Sequence, residues 1–446
     1  MFKHKKIFVL GMARSGYEAA KLLIKMDNEV VLNDLKKEQD QEHVKELSDL
    51  GVKIILGEHP DNLFNQTFDY LIKNPGIPNN HKYVKKAIEH NIPVINEMEL
   101  AYQLFPEDIT IIGVTGSNGK TTTTTLIYEM LKRARSNVHL MGNIGYPACA
   151  YVDKVKVNDI IVMEVSIQQL CNFNQFKVDI AVLTNLYEAH LDFVGNYNNY
   201  LNIKKRIFKH QEASDYAVLN IDNLDVVKIT NDIKAEKVYF SSKKNNINGC
   251  SIKDKTIYYW QEPIISLSEI KLKGNHNYEN IMAALLVAKK LGVSNKIIKE
   301  VLTIFGGVEH RIEYVTSKQG IQFYNDSKST NIKATQIALS SFQEPIILLL
   351  GGLDRKHSFN DLSNYLNHVK YIIGYGETKE RIKDYSNSVN IKCEIVETLE
   401  MATNKAYELA TKGDIILLSP ACASWDQFSD FEERGRMFKQ YIANLI

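Results

Sequence analysis

The chain has 446 residues, with 54 Lys plus Arg against 53 Asp plus Glu, a net charge of +1. Hydrophobic residues make up 44% and charged residues 24%, an ordinary globular balance that excludes a basic nucleic-acid coat protein and an acidic disordered tail. At about 150 residues per domain, the length implies about three domains, each able to bury its own core.

Short β-branched runs alternate with amphipathic stretches throughout, the α/β signature of parallel sheets. Lys6–Leu10 reads as a strand, Arg14–Met26 as a helix and Glu29–Asn33 as a second strand. Val52–Leu56 and Asp69–Ile72 continue the series, and Pro75-Gly76 with Pro78 marks a turn. A first domain is expected over 1–98. Ile109–Val114 is a strand running into a glycine-rich loop, with a helix from Lys120 that includes Thr121–Thr125. Further strands are expected at Val138–Met141, Ile160–Val165 and Ile180–Thr184. Lys237–Ser241, Ser251–Lys253 and Thr256–Trp260 read as antiparallel strands, with Asp254 and Lys255 as a two-residue hairpin turn. Asn277–Leu291 is a helix, closing a second domain over 99–306. The third, 307–446, has strands at Ile321–Asn325, Ile346–Leu350, Tyr371–Gly374, Cys393–Val396 and Ile415–Leu418.

No apolar stretch approaches the ~20 residues needed to span a bilayer. The basic N-terminus is followed by too short an apolar run for a secretory signal. The five cysteines, Cys149, Cys171, Cys250, Cys393 and Cys422, are scattered and form no C-x-x-C. That argues against a disulfide framework or a zinc site. A cytoplasmic protein is expected.

The strongest motif is Gly113-Val-Thr-Gly-Ser-Asn-Gly-Lys-Thr-Thr122, between a strand and a helix. Gly116, Ser117, Asn118 and Gly119 supply a backbone that can approach phosphate oxygens, facing the helix N-terminus. Lys120 can reach the β- and γ-phosphates, and the Thr121 hydroxyl, next to Thr122, can ligate Mg²⁺. The usual spacing puts a glycine where Val114 stands. A weaker loop, Gly11-Met-Ala-Arg-Ser-Gly16, follows the first strand, and Asp34 ends the second. This layout suits a nucleotide diphosphate at a helix N-terminus, but Ala13 replaces the second glycine of a dinucleotide fingerprint.

Downstream, Glu164 ends a strand, where a carboxylate can hold a metal on the nucleotide. His190 follows the next strand and could bind a metal or position a phosphate. Lys204 lies among Lys205, Arg206 and Lys209, which by itself reads as a solvated basic face. Asn277 and Asn280 share a helical face and could pair with an adenine edge. Arg311 and Lys328 can meet phosphates, and Asp326 ribose hydroxyls. Leu418-Ser-Pro-Ala-Cys-Ala-Ser-Trp-Asp-Gln-Phe428 reads as a polar turn that could form a carboxylate pocket. Cys422 has no evident histidine partner there and reads as a packing residue.

These motifs, in this order and through all three units, resemble the Mur ligase family. Within it the chain is similar to the members that add D-glutamate, through Ser419–Gly435, Leu350-Gly-Gly-Leu-Asp-Arg-Lys356 and the short N-terminal domain. A D-x-P-R motif of the lysine- or diaminopimelate-adding members is absent. The resemblance implies an α/β fold of three domains. These are a Rossmann-like UDP-binding domain, a P-loop ATPase-like central domain with an added small antiparallel sheet, and a Rossmann-like C-terminal amino-acid-binding domain. It implies an ATP-dependent ligase joining D-glutamate to UDP-N-acetylmuramoyl-L-alanine, monomeric, binding neither nucleic acid nor membrane.

The resemblance also implies site roles. Gly11, Arg14, Ser15, Gly16, Asp34, Asn143, Ser166 and Gln169 would contact the UDP substrate. The 116–122 loop, Asn277, Asn280, Arg311 and Asp326 would hold ATP. Thr121 and Glu164 would bind one Mg²⁺, with His190 at a second. Lys204, at the lysine of a Y-x-x-x-K-x-x-I spacing, would be carbamylated there, because a protonated lysine cannot ligate a cation. Thr330, Lys356, Ser424 and Phe431 would surround D-glutamate, with Lys120, His190, Lys204 and Lys328 at the chemistry. Where the family reads E-x-S-S-F-Q-L, the chain has Glu164-Val-Ser-Ile-Gln-Gln-Leu170, and Ile203 stands where alanine is usual. Ile203 is expected to crowd the carbamate. Folylpolyglutamate synthase shares the phosphate loop but would lack the Gly11–Gly16 domain. A nicotinamide oxidoreductase would leave residues 116–121 unexplained, and a non-catalytic nucleotide-binding regulator would need neither Glu164 nor Lys204.

Overall fold

The computed structural model describes residues 2–189, 191–245 and 247–445. The chain divides into two compact units, Met1–Thr303 and Ile304–Ile446, the first of which contains two sheets.

The first sheet is parallel. Strands β1 (Lys6–Leu10), β2 (Glu29–Asp34), β3 (Lys53–Leu56), β4 (Tyr70–Lys73) and β5 (Val94–Ile95) lie in the order 3-2-1-4-5. Order reverses between β1 and β4, the point at which ligands bind in such sheets. Helix Ala13–Lys25 buries Tyr17, Ala20 and Leu23 at i, i+3, i+6 spacing, as its sequence pattern requires.

The second sheet has nine strands: β6 (Thr110–Thr115), β7 (Val138–Gly142), β8 (Ile160–Glu164), β9 (Ile180–Leu183), β10 (Tyr216–Asn220), β11 (Glu236–Ser241), β12 (Gly249–Lys253), β13 (Thr256–Tyr259) and β14 (Glu262–Ser266). Their order is 14-13-12-11-10-9-6-8-7. Two expectations are corrected. The antiparallel strands form no separate sheet, since they extend the edge of the parallel one. And β11 runs parallel to both β10 and β12, leaving only β12–β13–β14 antiparallel. Alternation of side chains identifies a strand but carries no information on its direction. The hairpin at Asp254-Lys255 is as expected: both residues have positive φ, 47° and 56°, the conformation that matches strand twist in a two-residue turn.

In the second unit β15 (Glu313–Lys318), β16 (Ile321–Asn325), β17 (Ile346–Gly351), β18 (Val369–Tyr375), β19 (Lys392–Ile395) and β20 (Ile415–Leu418) lie in the order 15-16-20-17-18-19. Only β15 is antiparallel to its neighbour. Every residue of β8 and β17 is buried, as unbroken apolar strands covered on both faces should be. Among the described residues, no helix is long and apolar enough to cross a membrane.

Candidate active site

The phosphate loop joins β6 to helix Lys120–Ala134. Gly116 has φ 147° and Gly119, the helix N-cap, φ 80°. A Cβ at Gly116 would fall 2.0 Å from Thr184 Oγ1, and one at Gly119 2.1 Å from Asn280 Oδ1. Glycine is therefore required at both positions by space as well as by backbone angle. Val114 departs from the usual glycine without cost, because it lies inside β6, fully buried beside Glu164.

Loop shape is imposed from outside. Ser117 N–H donates to Asn185 O at 2.9 Å, and Asn118 N–H to Asn185 Oδ1 at 2.9 Å. Thr184 Oγ1 donates to Asn118 O at 2.6 Å. Ser117 Oγ lies 2.6 Å from the hydroxyl of fully buried Tyr200. Lys120 Nζ folds onto the loop carbonyls of Gly116 and Ser117, at 3.1 and 2.8 Å. Thr121 is buried and Thr122 half-buried at the first helical turn.

Two buried ionisable groups flank this loop. Glu164, 2% exposed, accepts Asn143 Nδ2–H on Oε1 at 2.6 Å, while its Oε2 is buried with no hydrogen-bond partner. A carboxylate oxygen left unsatisfied in this way is costly, and it fits a cation donor at the end of a parallel strand. Lys204, 1% exposed, donates to Thr115 Oγ1 at 2.9 Å and Gly116 O at 3.0 Å. Burial pushes its ammonium well below the ordinary lysine range; Lys120 pushes it further, against the opposing pull of Glu164. The basic-face reading of Lys204 is thus overturned: Lys205 pairs with Asp232 at the surface, whereas Lys204 turns inward. The Ile203 side chain is half-buried. One residue along the helix, it lines a cavity of about 340 Å³ with Asn79, Cys171 and Phe193. His190 lies outside the described residues.

Other expected contacts take more local roles. Asn280 is buried and accepts from Thr123 Oγ1 at 3.3 Å, so it packs on the phosphate-loop helix; Asn277 donates to Lys273 O at 2.8 Å. Ser166 and Gln169 form a capping box on helix Ile167–Leu170, and Ile167 fills the core. In the first sheet, Asp34 accepts the Met12 N–H at 2.7 Å and the Lys36 N–H at 2.8 Å. Ser15 Oγ accepts from Asn74 at 3.0 Å. Gly16 packs against the Gly11 carbonyl, where no Cβ fits. Arg14 reaches Gly145 O at 3.4 Å, joining this loop to the one that carries Asn143. The helix behind the loop has no side-chain cap at its N-terminus, which leaves its first N–H groups available to an anion.

In the second unit, Asp326 is buried and accepts from Ser419 Oγ at 2.7 Å and the Ile312 N–H at 3.2 Å. Burial raises its carboxyl to about 6. Lys328 is exposed, with Nζ 5.8 Å from the centre of the Phe431 ring. Thr330 follows on the same loop, its N–H donating to Lys328 O at 2.9 Å. Arg311 is exposed, with its N–H on Val308 O. Lys356 stands out into solvent on Asp354, Nζ to Oδ2 at 3.1 Å. Ser424 is buried, next to Ala423, whose strand-like bridge to Leu353 joins the two loops. Cys422 does have a histidine neighbour, His357 Nε2 at 3.9 Å. Sixty-odd residues separate the two, so sequence could not reveal it. Burial raises that thiol to about 11, which keeps it a packing group. Sequence reasoning assigned no role to Thr115, Thr184, Asn185 or Arg434. Thr115 and Arg434 lay in quoted motifs, but nothing local signalled the bond of Thr115 to Lys204 or the burial of Arg434.

Comparison with known proteins agrees with this arrangement. Residues 5–96 match the Mur ligase MurD-like N-terminal domain, 114–288 the Mur ligase middle domain and 310–422 the Mur ligase glutamate ligase domain. The chain is 45% identical over 446 residues to the UDP-N-acetylmuramoylalanine--D-glutamate ligase of Geobacillus kaustophilus, covering 100% of this chain and 98% of that one. It is 44% identical to the protein of the same name in Bacillus cereus, covering 100% and 99%. Among solved structures, it is similar to UDP-N-acetylmuramate-alanine ligase MurC of Thermotoga maritima, with TM-score 0.61, 19% identity and 99% of each chain covered. MurF ligase of the same organism, solved with ADP, gives TM-score 0.55 at 18% identity over 99% and 96%. A phosphate loop braced by Thr184 and Tyr200, a buried carboxylate with one unpartnered oxygen at the end of the neighbouring strand and three matched domains in order have one common source: the chain belongs to the Mur ligase family.

Proposed function

We propose that the protein is an ATP-dependent ligase that joins D-glutamate to UDP-N-acetylmuramoyl-L-alanine in peptidoglycan precursor synthesis. The observation that carries this reading is 45% identity along the whole chain to ligases of that name. The unsatisfied Glu164 Oε2 beside the phosphate loop supports the ATP and Mg²⁺ part of it. Residues 1–98 bind the UDP substrate through the open helix N-terminus behind Gly11–Gly16. Residues 99–306 bind ATP and 307–446 bind D-glutamate. The enzyme works as a monomer in the cytoplasm on small molecules alone.

Thr121 and Glu164 would hold Mg²⁺, and Lys204, as its carbamate, would hold a second ion together with His190. Bound there, the metal supplies charge neutralisation on the transferring phosphoryl group. Lys204 suits carbamylation because burial favours the neutral amine, the form that adds CO₂. Lys120 leaves the Gly116 and Ser117 carbonyls for the β/γ-phosphates and offsets developing charge. The alanine carboxylate attacks the γ-phosphorus, ADP leaves, and an acyl phosphate remains. The neutral amine of D-glutamate attacks that carbonyl, and phosphate departs from a tetrahedral intermediate. Lys328, Thr330, Lys356, Ser424 and Phe431 orient the amino acid, Lys328 and Lys356 by facing its carboxylates.

The test is phosphate release from ATP with Mg²⁺ and UDP-N-acetylmuramoyl-L-alanine, adding D-glutamate, L-glutamate, L-lysine or meso-diaminopimelate in turn. Release with D-glutamate alone is expected. Release with another amino acid moves the acceptor assignment, and release with none refutes the ligase reading.

A further inference from the structure

Arg434, on helix Phe431–Asn444, is fully buried, and it is the bulkiest such side chain among the described residues. Its Nε donates to Ser327 Oγ at 2.9 Å and its Nη2 to Ser327 O at 2.8 Å. Nη1 donates to Cys422 O at 3.1 Å. Ser327 Oγ–H in turn donates to Phe431 O at 2.8 Å. A Cβ placed on Gly352 would lie 3.3 Å from Nη1, so a third loop also abuts the guanidinium. Among the described residues, no carboxylate pairs with it within 4.0 Å.

These contacts select particular segments. Ser327 precedes Lys328 and Thr330, Cys422 precedes Ser424, and Gly352 opens the loop that carries Lys356. Phe431 lies one helical turn before Arg434 itself. Every residue proposed to surround the acceptor amino acid therefore sits on a segment that touches this guanidinium. The planar fork suits three acceptors at fixed angles, which an ammonium would not reproduce. Burying a cation without a directly paired carboxylate is unfavourable; Asp426 feels this charge without pairing with it, and a dicarboxylate held in the pocket would feel it in the same way.

We propose that Arg434 is the positioning residue of the acceptor pocket, holding the segments of Lys328, Lys356, Ser424 and Phe431 in one arrangement and favouring a dicarboxylic amino acid. The identity of the acceptor rests on the D-glutamate reading above; the positioning role does not.

The experiment compares wild type with Arg434→Lys, Arg434→Met and Ser327→Ala, measuring kcat, KM for each of the three substrates and thermal unfolding. Ser327→Ala and Arg434→Lys are expected to raise KM for D-glutamate about 10–100-fold, the scale of losing hydrogen bonds to a charged group. KM for the UDP substrate stays within about twofold, since residues 1–98 are remote in sequence from this cluster, and KM for ATP rises less than KM for D-glutamate, because only Asp326 adjoins Ser327. Arg434→Met additionally lowers the preference for D-glutamate over D-glutamine, which Arg434→Lys retains. If Arg434→Met does not fold, Ser327→Ala and Arg434→Lys decide. An unchanged KM for D-glutamate in both, or an equal rise in all three KM values, overturns the proposal. The wild-type arm separates the two readings: turnover with a different amino acid refutes D-glutamate, and the same KM comparison with that amino acid then tests Arg434.

Discussion

Asn143 donates to one oxygen of Glu164 at 2.6 Å and leaves the other oxygen, Oε2, buried and unpartnered. The amide thus restrains the carboxylate through one oxygen and leaves the other as a buried acceptor. Asn143→Ala is expected to raise the Mg²⁺ concentration for half-maximal phosphate release about 10–100-fold, the usual effect of losing a group that orients a metal ligand. Glu164→Gln is expected to abolish turnover at any Mg²⁺ concentration. Mg²⁺ titration of phosphate release checks both, and an unchanged midpoint in Asn143→Ala would refute the orienting role.

Lys120 donates to two carbonyls of its own loop and is half-buried at the start of its helix. Lys120→Ala opens no fully buried cavity, and the fold should survive. Turnover should fall about 10²–10³-fold or more, as for loss of a donor aimed at developing charge. Circular dichroism together with the phosphate assay checks this; near-wild-type turnover would refute the mechanism.

Gly116→Ala places a methyl 2.0 Å from Thr184 Oγ1 at φ 147°. The strain, on the order of 1–3 kcal/mol, is relieved most easily by displacing the loop. Fluorescent ATP-analogue binding should be lost while thermal unfolding shifts only modestly. Retained binding would show that the loop tolerates displacement of Thr184.

Glu97 is 4% exposed, and burial raises its carboxyl from 4.5 to about 7 despite the Cys149 N–H it accepts. The folded protein keeps this proton where the unfolded chain has lost it. Stability therefore falls as pH rises from 4.5 to about 7 and is flat above. The contribution is at most roughly 3 kcal/mol. Glu97→Gln should flatten that slope, as read by urea unfolding at several pH values. An unchanged slope would remove Glu97 as its source.

Most strands and the phosphate loop could be read from the chain because their signals are local: an apolar run, a turn, glycines at fixed spacing. Tyr216–Asn220 was missed although it lies in the middle of the nine-stranded sheet, since YAVLN carries only one β-branched residue and no flanking glycine or proline. Glu313–Lys318 was missed because it is polar, an edge strand with no buried residue. The inward turn of Lys204 was legible only by resemblance, since its neighbours Lys205 and Arg206 are basic and exposed or half-buried. The bracing of the loop by Thr184, Asn185 and Tyr200 was not legible at all, because those contacts span about 66 to 83 residues. Asp34 and Ser166 illustrate a further limit: a polar residue at the right place beside a ligand site can equally well be holding its own loop.

Apart from Lys120, which reaches back to two of its carbonyls, residues 115–119 are braced from outside the strand and helix that the loop connects. Those braces come from positions 165, 184–187, 200 and 204. An excised peptide spanning residues 110–134 would therefore have little affinity for phosphate, however faithfully it kept the glycines. During synthesis, too, these braces become available only once residue 204 has left the ribosome. The shape of the loop is thus tied to completion of the sheet around it.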